Sequence, residues 1–251
     1  NCKSYLEDCL RSICASRKDF EVVLVDDGST DGSAVICDNY VLKDNRIMVF
    51  HKKNGGASSA RNYGIKKSSG NYTMFVDADD VLRDDWDEVL DYAKNNDIIY
   101  FCGKDIDSYI SKNTLLRYIT GFNGSHIYLS GPISKLYRRD FLKKNDLRFD
   151  EKLINGEDML FNIKAAIRAK TYRVVNTQFY LYRQMIGQAT KRFDSDIIKS
   201  DKEFHIKLHA VFSDSEIDKK LIRKIEDHCL KNAVILILAR LSYAKNYALV
   251  R

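Results

Sequence analysis

Two short acidic stretches hold the residues best suited to do chemistry. In Met74-Phe75-Val76-Asp77-Ala78-Asp79-Asp80 an apolar run, Tyr72 to Val76, stops at clustered carboxylates. Like charges this close repel unless a cation sits among them. An Asp-x-Asp pair at a strand end can offer oxygens to one hard divalent ion, which also takes phosphate oxygens from a ligand. The same acids could instead form a solvated turn that caps the next helix. A second stretch of this kind, Val25-Asp26-Asp27-Gly28-Ser29-Thr30-Asp31, follows another apolar run. Open α/β sheets bind ligands at the carboxyl ends of their strands, and both acidic turns would lie there. Glu157-Asp158 opens an amphipathic segment, where acids in the first turn are favoured by the helix dipole as caps. Lys135, Arg138 and Arg139 could attract an anion or be solvated surface charge.

The elements that must position these residues follow from periodicity. Residues 4–16 read as a helix with Ser4 as its cap, because Tyr5, Leu6, Cys9, Leu10 and Ile13 recur at helical spacing. Apolar runs at 20–25, 46–51, 72–76 and 97–102 read as buried strands. Helices are expected at about 33–40, 57–67 and 84–94. This alternation predicts an α/β fold, a mostly parallel sheet with helices on both faces. Further on, a helix is expected over 113–120, a strand over 126–129, a helix over 158–170 and short strands over 172–176 and 178–183. From 195 the chain reads as helices only, at 195–211, 214–225 and 226–244. The expected division is a catalytic domain at 1–190 and a helical C-terminal extension at 191–251.

The 251 residues, 45% hydrophobic and 30% charged, can bury a sizeable core. A net charge of +6 is too modest to argue for nucleic acid as a partner. The six cysteines show no Cys-x-x-Cys pair, which favours reduced thiols in a cytosolic protein. No apolar run is long enough to span a bilayer.

Phe20 to Ser33 (FEVVLVDDGSTDGS), Gly56 to Gly64 (GASSARNYG), Gly70 to Asp80 (GNYTMFVDADD), Lys135 to Phe141 (KLYRRDF) and Asn155 to Phe161 (NGEDMLF) occur in this order. Together they resemble the inverting family 2 glycosyltransferases of the GT-A fold, as found in the assembly of bacterial surface polysaccharides such as capsule. The resemblance covers roughly residues 1–185. It implies a nucleotide-sugar donor, most naturally a UDP-sugar, and a divalent cation, Mn²⁺ or Mg²⁺. The sugar transferred would be a hexose or an N-acetylhexosamine, and the acceptor a hydroxyl of a polysaccharide or lipid-linked oligosaccharide. By the same resemblance Asp27 would accept from the uracil imide and Arg61 would face the nucleotide. Asp79 would touch the metal directly, with Asp77 toward the ribose or the metal's waters. Asp158 would be the general base beside Glu157. Lys135, Arg138 and Arg183 are candidates for acceptor or diphosphate contacts, and Tyr180, Tyr182 and Gln184 stand where the family places a loop near the diphosphate. Family members carry a strand before the first helix, so a strand is expected upstream of Asn1; Gly103 to Asp107 is shorter than the variable loop usual there.

The basic C-terminal helices are open to three readings: packing on the catalytic domain, a homodimer contact, or peripheral contact with an anionic membrane. The expected location is the cytoplasm, including the inner face of the plasma membrane. Two rival functions carry different tests. A metal-dependent nucleotidyl or phosphoryl transferase would not discriminate uracil from other phosphate ligands. A non-catalytic carbohydrate-binding protein would not hydrolyse a UDP-sugar.

Overall fold

A computed structural model describes residues 1–106, 109–122, 127, 129–183 and 196–248, with side chains to residue 237. The chain divides into two compact units. The first comprises Asn1–Ile110, Pro132–Glu151 and Arg168–Arg183; the second comprises Ser111–Gly131, Lys152–Ile167 and Gln184–Arg251. The expected boundary near residue 190 lies outside the described residues. The observed division is discontinuous, because two internal stretches group with the C-terminal helices.

In the first unit, helix α1 (Lys3–Cys14) buries Leu6, Cys9, Leu10 and Ile13, the stripe its spacing predicts. Its cap is Cys2, whose backbone N–H donates to Ser33 Oγ, and Ser4 lies inside the helix. Strand β1 (Val22–Asp26) leads to α2 (Ser33–Val41), β2 (Ile47–His51) and α3 (Gly56–Lys67). β1 and β2 pair in parallel, with Asp26 opposite His51. β3 (Tyr72–Thr73), β4 (Val81–Leu82), a 3₁₀ helix at Trp86–Tyr92 and β5 (Ile98–Phe101) follow. The expected 84–94 α-helix is thus a shorter, tighter turn. It is anchored by buried Trp86 and Val89, and Asp85 supplies no side-chain cap.

β6 (Lys135–Arg138) is the main departure from a parallel sheet. It lies between β3 and β5 and runs antiparallel to both, in the order β3-β6-β5-β7, with β7 (Tyr172–Val175) parallel to β5. Ile98, Ile99 and Tyr100 have no exposed surface, as befits a strand paired on both sides. β8 (Tyr180–Leu181) pairs antiparallel with β4. A cavity of about 650 Å³ separates β1 from the β3 segment, walled by Val22, Leu24, Tyr72, Met74 and Val76 and by α1 residues Leu6 and Leu10. Among the described residues no strand crosses it to join the two ladders.

The second unit contains α4 (Lys112–Thr120), capped by the Ser111 hydroxyl, and α6 (Glu157–Arg168). Short α5 (Arg139–Lys144) belongs to the first unit. Asn162, fully buried on α6, donates to the carbonyls of Ser130 and Gly131 and so ties two distant stretches together. α7 (Ile197–Ser213) buries Ile197, Ser200, Phe204, Leu208 and Phe212 at helical spacing. α8 (Lys219–Ala248) runs unbroken through the expected break at 225–226. Among the described residues no helix is long and apolar enough to cross a membrane. The six cysteines are free thiols. The strand expected over 126–129 falls largely outside the described residues.

Candidate active site

The parallel register of β1 and β2 builds one side of the site. Because Asp26 sits opposite His51, the next residues, Asp27 and Lys52, meet at the strand ends, where the Lys52 ammonium donates to Asp27 Oδ1. Asp27 also accepts from the backbone N–H of Gly55 at 3.0 Å and of Gly56 at 2.6 Å. It therefore caps α3, and not α2 just downstream; Asp31 organises the start of α2 by accepting from Ser33 N and Oγ. Burial pushes the Asp27 pKa up, but the Lys52 and glycine donors outweigh it and hold the carboxyl below the usual range. Between Asp27 and Ser29, Gly28 adopts a positive φ of 72°, and a Cβ there would lie 2.9 Å from Asn54 N. Only glycine fits this turn without movement.

Asp26, unlike Asp27, is buried, and accepts from Ser29 N at 3.1 Å. His51 bridges it to Asp38, with Nδ1 2.9 Å from Asp26 and Nε2 3.0 Å from Asp38. Those two bonds, Asp26 first, raise the His51 pKa.

Helix α3 links the two acidic turns. Its N-terminal amides hold Asp27, and Arg61 Nη2 donates to Asp77 Oδ1 at 2.9 Å. Gly56 and Arg61 are separated by about 7.5 Å of helix rise, so the two carboxylates share one edge, as the strand-end reasoning requires. The guanidinium of Arg61 also lies 5.4 Å from the Phe149 ring centroid. The three acids of the second turn have different environments. Asp77 pairs with Arg61. Asp80 is 1% exposed and accepts from Tyr180 OH at 2.7 Å and Arg183 N at 2.8 Å. Asp79 is half-buried and its carboxylate has no hydrogen-bond or ion-pair partner among the described residues.

This donor set suits a hard cation. Asp79 and Asp77 offer carboxylate oxygens, and a magnesium-like ion typically takes one or two carboxylates and completes its shell with substrate phosphates and water. Among the described residues no group of three or more His, Cys, Asp or Glu side chains could hold a metal alone. The remaining ligands would come from phosphate oxygens of a ligand and from water.

Other expected site residues fare differently. Lys135 is a buried strand residue, 2% exposed, whose Nζ donates to Ile133 O and lies 5.6 Å from the Tyr100 ring centroid. It is out of reach of a surface ligand. Arg138 pairs with Asp97, and its partner in the ladder is Tyr72 at the start of β3. It therefore sits at the edge opposite Asp77, because β6 runs antiparallel to β3. Arg183 does stand beside the acidic turn: its guanidinium is 3.4 Å from Asp8 and 4.9 Å from the Tyr5 ring centroid. Glu157 and Asp158 open α6 in the second unit, both half-buried. Tyr182 is exposed, and Gln184 lies outside the described residues. Lys52 and His51 were not singled out from the sequence, and Tyr180 only by its place on the family's loop near the diphosphate. The first two were discoverable, since parallel strands ending in register bring their next residues together.

The family model described as Glycosyl transferase family 2 matches residues 1–168. The uncharacterized glycosyltransferase EpsJ of Bacillus subtilis is 32% identical over 208 residues, which are 76% of this chain and 60% of EpsJ. Glycosyltransferase GlyG of Streptococcus pneumoniae is 30% identical over 216 residues, 74% of this chain and 69% of GlyG. Among solved structures, residues 1–349 of TarS from Staphylococcus aureus in complex with UDP-GlcNAc superimpose with a TM-score of 0.70 at 25% identity. That match covers 91% of this chain and 68% of the TarS fragment. TarS is a poly(ribitol-phosphate) beta-N-acetylglucosaminyltransferase. The chain thus spans 60% of the length of EpsJ, 69% of GlyG and 34% of full-length TarS. With its acidic strand ends on one edge and the family model matching two thirds of its length, the chain belongs to glycosyl transferase family 2 and has the GT-A fold.

Proposed function

We propose that the chain transfers a hexose or N-acetylhexosamine, with inversion, from a UDP-sugar to a hydroxyl of a surface polysaccharide or a lipid-linked oligosaccharide. The observation that carries this proposal is the Asp79 carboxylate, without a partner among the described residues, on a turn whose neighbours Asp77 and Asp80 are both engaged. The fold shared with TarS, whose complex holds UDP-GlcNAc, supports a UDP-linked donor.

Asp27 would accept the uracil imide N–H alongside its helix amides, since a carboxylate has about four acceptor positions. Arg61 would face the nucleotide while keeping Asp77 in place. Asp79, with Asp77, would hold Mn²⁺ or Mg²⁺ against the diphosphate, where the ion acts as a Lewis acid for the charge developing on the leaving group. Arg183, beside the acidic turn, would face the same diphosphate.

Asp158 would accept the proton of the acceptor hydroxyl as its oxygen bonds to the anomeric carbon and the bond to the diphosphate breaks. Its place in the first turn of α6 favours the ionised form, because the helix dipole stabilises negative charge there. Such a carboxylate is a weak base, so proton transfer would come late, when the hydroxyl has become acidic. The reaction would take place in the cytoplasm, where the basic helix α8 could approach an anionic membrane face carrying a lipid-linked acceptor.

The test pairs donor binding with transfer. Asp158→Asn should bind a UDP-sugar nearly as the unaltered chain does, yet lose turnover by about 10²–10⁴-fold. Near-normal turnover would remove Asp158 from the chemistry and move the search to Glu157.

A further inference from the structure

The turn that carries Asp77 and Asp79 is braced by one side chain from a much later strand. The Tyr180 hydroxyl accepts the Asp77 backbone N–H at 3.0 Å and donates to Asp80 Oδ2 at 2.7 Å. A phenol has one proton to give and lone pairs to accept with, and both capacities are used here. Tyr180 is 5% exposed and Asp80 1%.

The remaining bonds of the turn make this brace decisive. Asp80 N donates to Asp77 O at 3.1 Å, which closes the turn, and Arg183 N takes the second Asp80 oxygen. Arg83 N donates to Phe179 O at 2.8 Å, which fixes the strand bearing Tyr180 against the far side of the turn. From α1, Cys9 Sγ lies 3.7 Å from Asp77 O and Ser12 Oγ accepts from Leu82 N. Among these groups only the Tyr180 hydroxyl touches both Asp77 and Asp80. Without it a half-buried amide and a buried carboxylate oxygen would each lose a partner, and the turn would have to shift to satisfy them. Asp79 lies between the two held residues, so its direction depends on theirs.

We infer that Tyr180 is a positioning residue for cation-dependent donor binding. Its hydroxyl sets the orientation in which Asp77 and Asp79 meet a diphosphate-bound divalent cation. Tyr180 itself touches neither the cation nor the substrate. The inference rests on the reading of Asp77 and Asp79 as the cation-binding pair.

The test is calorimetric titration of UDP into the 251-residue chain over a manganese series, with metal-free uridine binding as the internal control. Tyr180→Phe should raise the manganese concentration needed for half-maximal UDP affinity by about 10–100-fold, as removal of an outer-shell partner of a metal site does. Uridine affinity should stay unchanged. An unchanged manganese requirement, with or without a lowered melting temperature, would reduce Tyr180 to a packing residue and overturn the inference. If Tyr180→Phe fails to fold, Asp80→Ala tests the same bridge, because it removes the oxygen that accepts the phenol proton. A folded Asp80→Ala with the unaltered manganese requirement would equally overturn it. If the unaltered chain binds UDP without regard to manganese, the cation-binding reading of Asp77 and Asp79 fails first, and the role of Tyr180 falls with it.

Discussion

Removing the Asp27 carboxylate should injure stability and recognition together, and the structure gives the size of the first effect. Asp27→Ala deletes the acceptor for Gly55 N and Gly56 N, a helix cap worth about 1 kcal/mol. It also strips the carboxylate partner from Lys52, which keeps only the Lys53 carbonyl among the described residues and whose side chain is 18% exposed, as is that of Asp27. A hydrogen bond between charged groups in such a setting contributes about 1.5–3 kcal/mol. The two losses share one carboxylate and are not additive, so about 2–3 kcal/mol is expected in all. Asp27→Asn, which keeps one acceptor oxygen and loses the charge, should fall between. Urea unfolding of the three proteins measures this. Uridine titration well below the unfolding range should then show Asp27→Ala weakened by a further, separable amount. The reasoning is refuted if Asp27→Ala unfolds within about 0.5 kcal/mol of the unaltered chain, the range of an ordinary surface substitution.

Two more outcomes can be checked by unfolding alone. Gly28→Ala must adopt a left-handed backbone and displace Asn54 N, so a loss of at least about 1–2 kcal/mol is expected in chemical denaturation. His51 has a folded-state pKa above its ordinary value of 6.5 because of Asp26 and Asp38. Its stabilising contribution is therefore fully present below about pH 6.5 and lost as pH rises through the raised value. Unfolding midpoints between about pH 5 and 8 should fall with rising pH, and His51→Gln should flatten that slope.

The site was legible where chemistry and periodicity coincide. Asp27, Asp77 and Asp79 end apolar runs, and sheet geometry brings such ends to one edge. Arg61 followed from family resemblance and is found on Asp77. Basic residues were harder to read, because charge says nothing about strand direction. Lys135 and Arg138 lie on a strand that the Leu-Tyr pair between them only weakly marks. That strand runs antiparallel, which buries the first and carries the second to the opposite edge. Tyr180 was placed near the diphosphate by family resemblance alone; its bracing role gave no signal, since one aromatic residue in a short strand looks like core until its hydroxyl is seen between Asp77 and Asp80. The continuous α8 was missed for a different reason: the acidic residues near 226 resemble a helix start, yet Leu221, Ile222, Ile225, Cys229 and Ala233 keep one buried face across it.

The most direct measurement is a UDP titration of the unaltered chain and of Asp79→Asn, each with and without Mn²⁺. Asp79 makes no bond to the described protein, so the substitution should leave unfolding within about 0.5 kcal/mol. The unaltered chain should bind UDP much more tightly with the ion than without it, and Asp79→Asn should bind UDP equally weakly in both conditions. Undiminished manganese-dependent affinity in Asp79→Asn would contradict the assignment of the acidic turn as the diphosphate-binding edge.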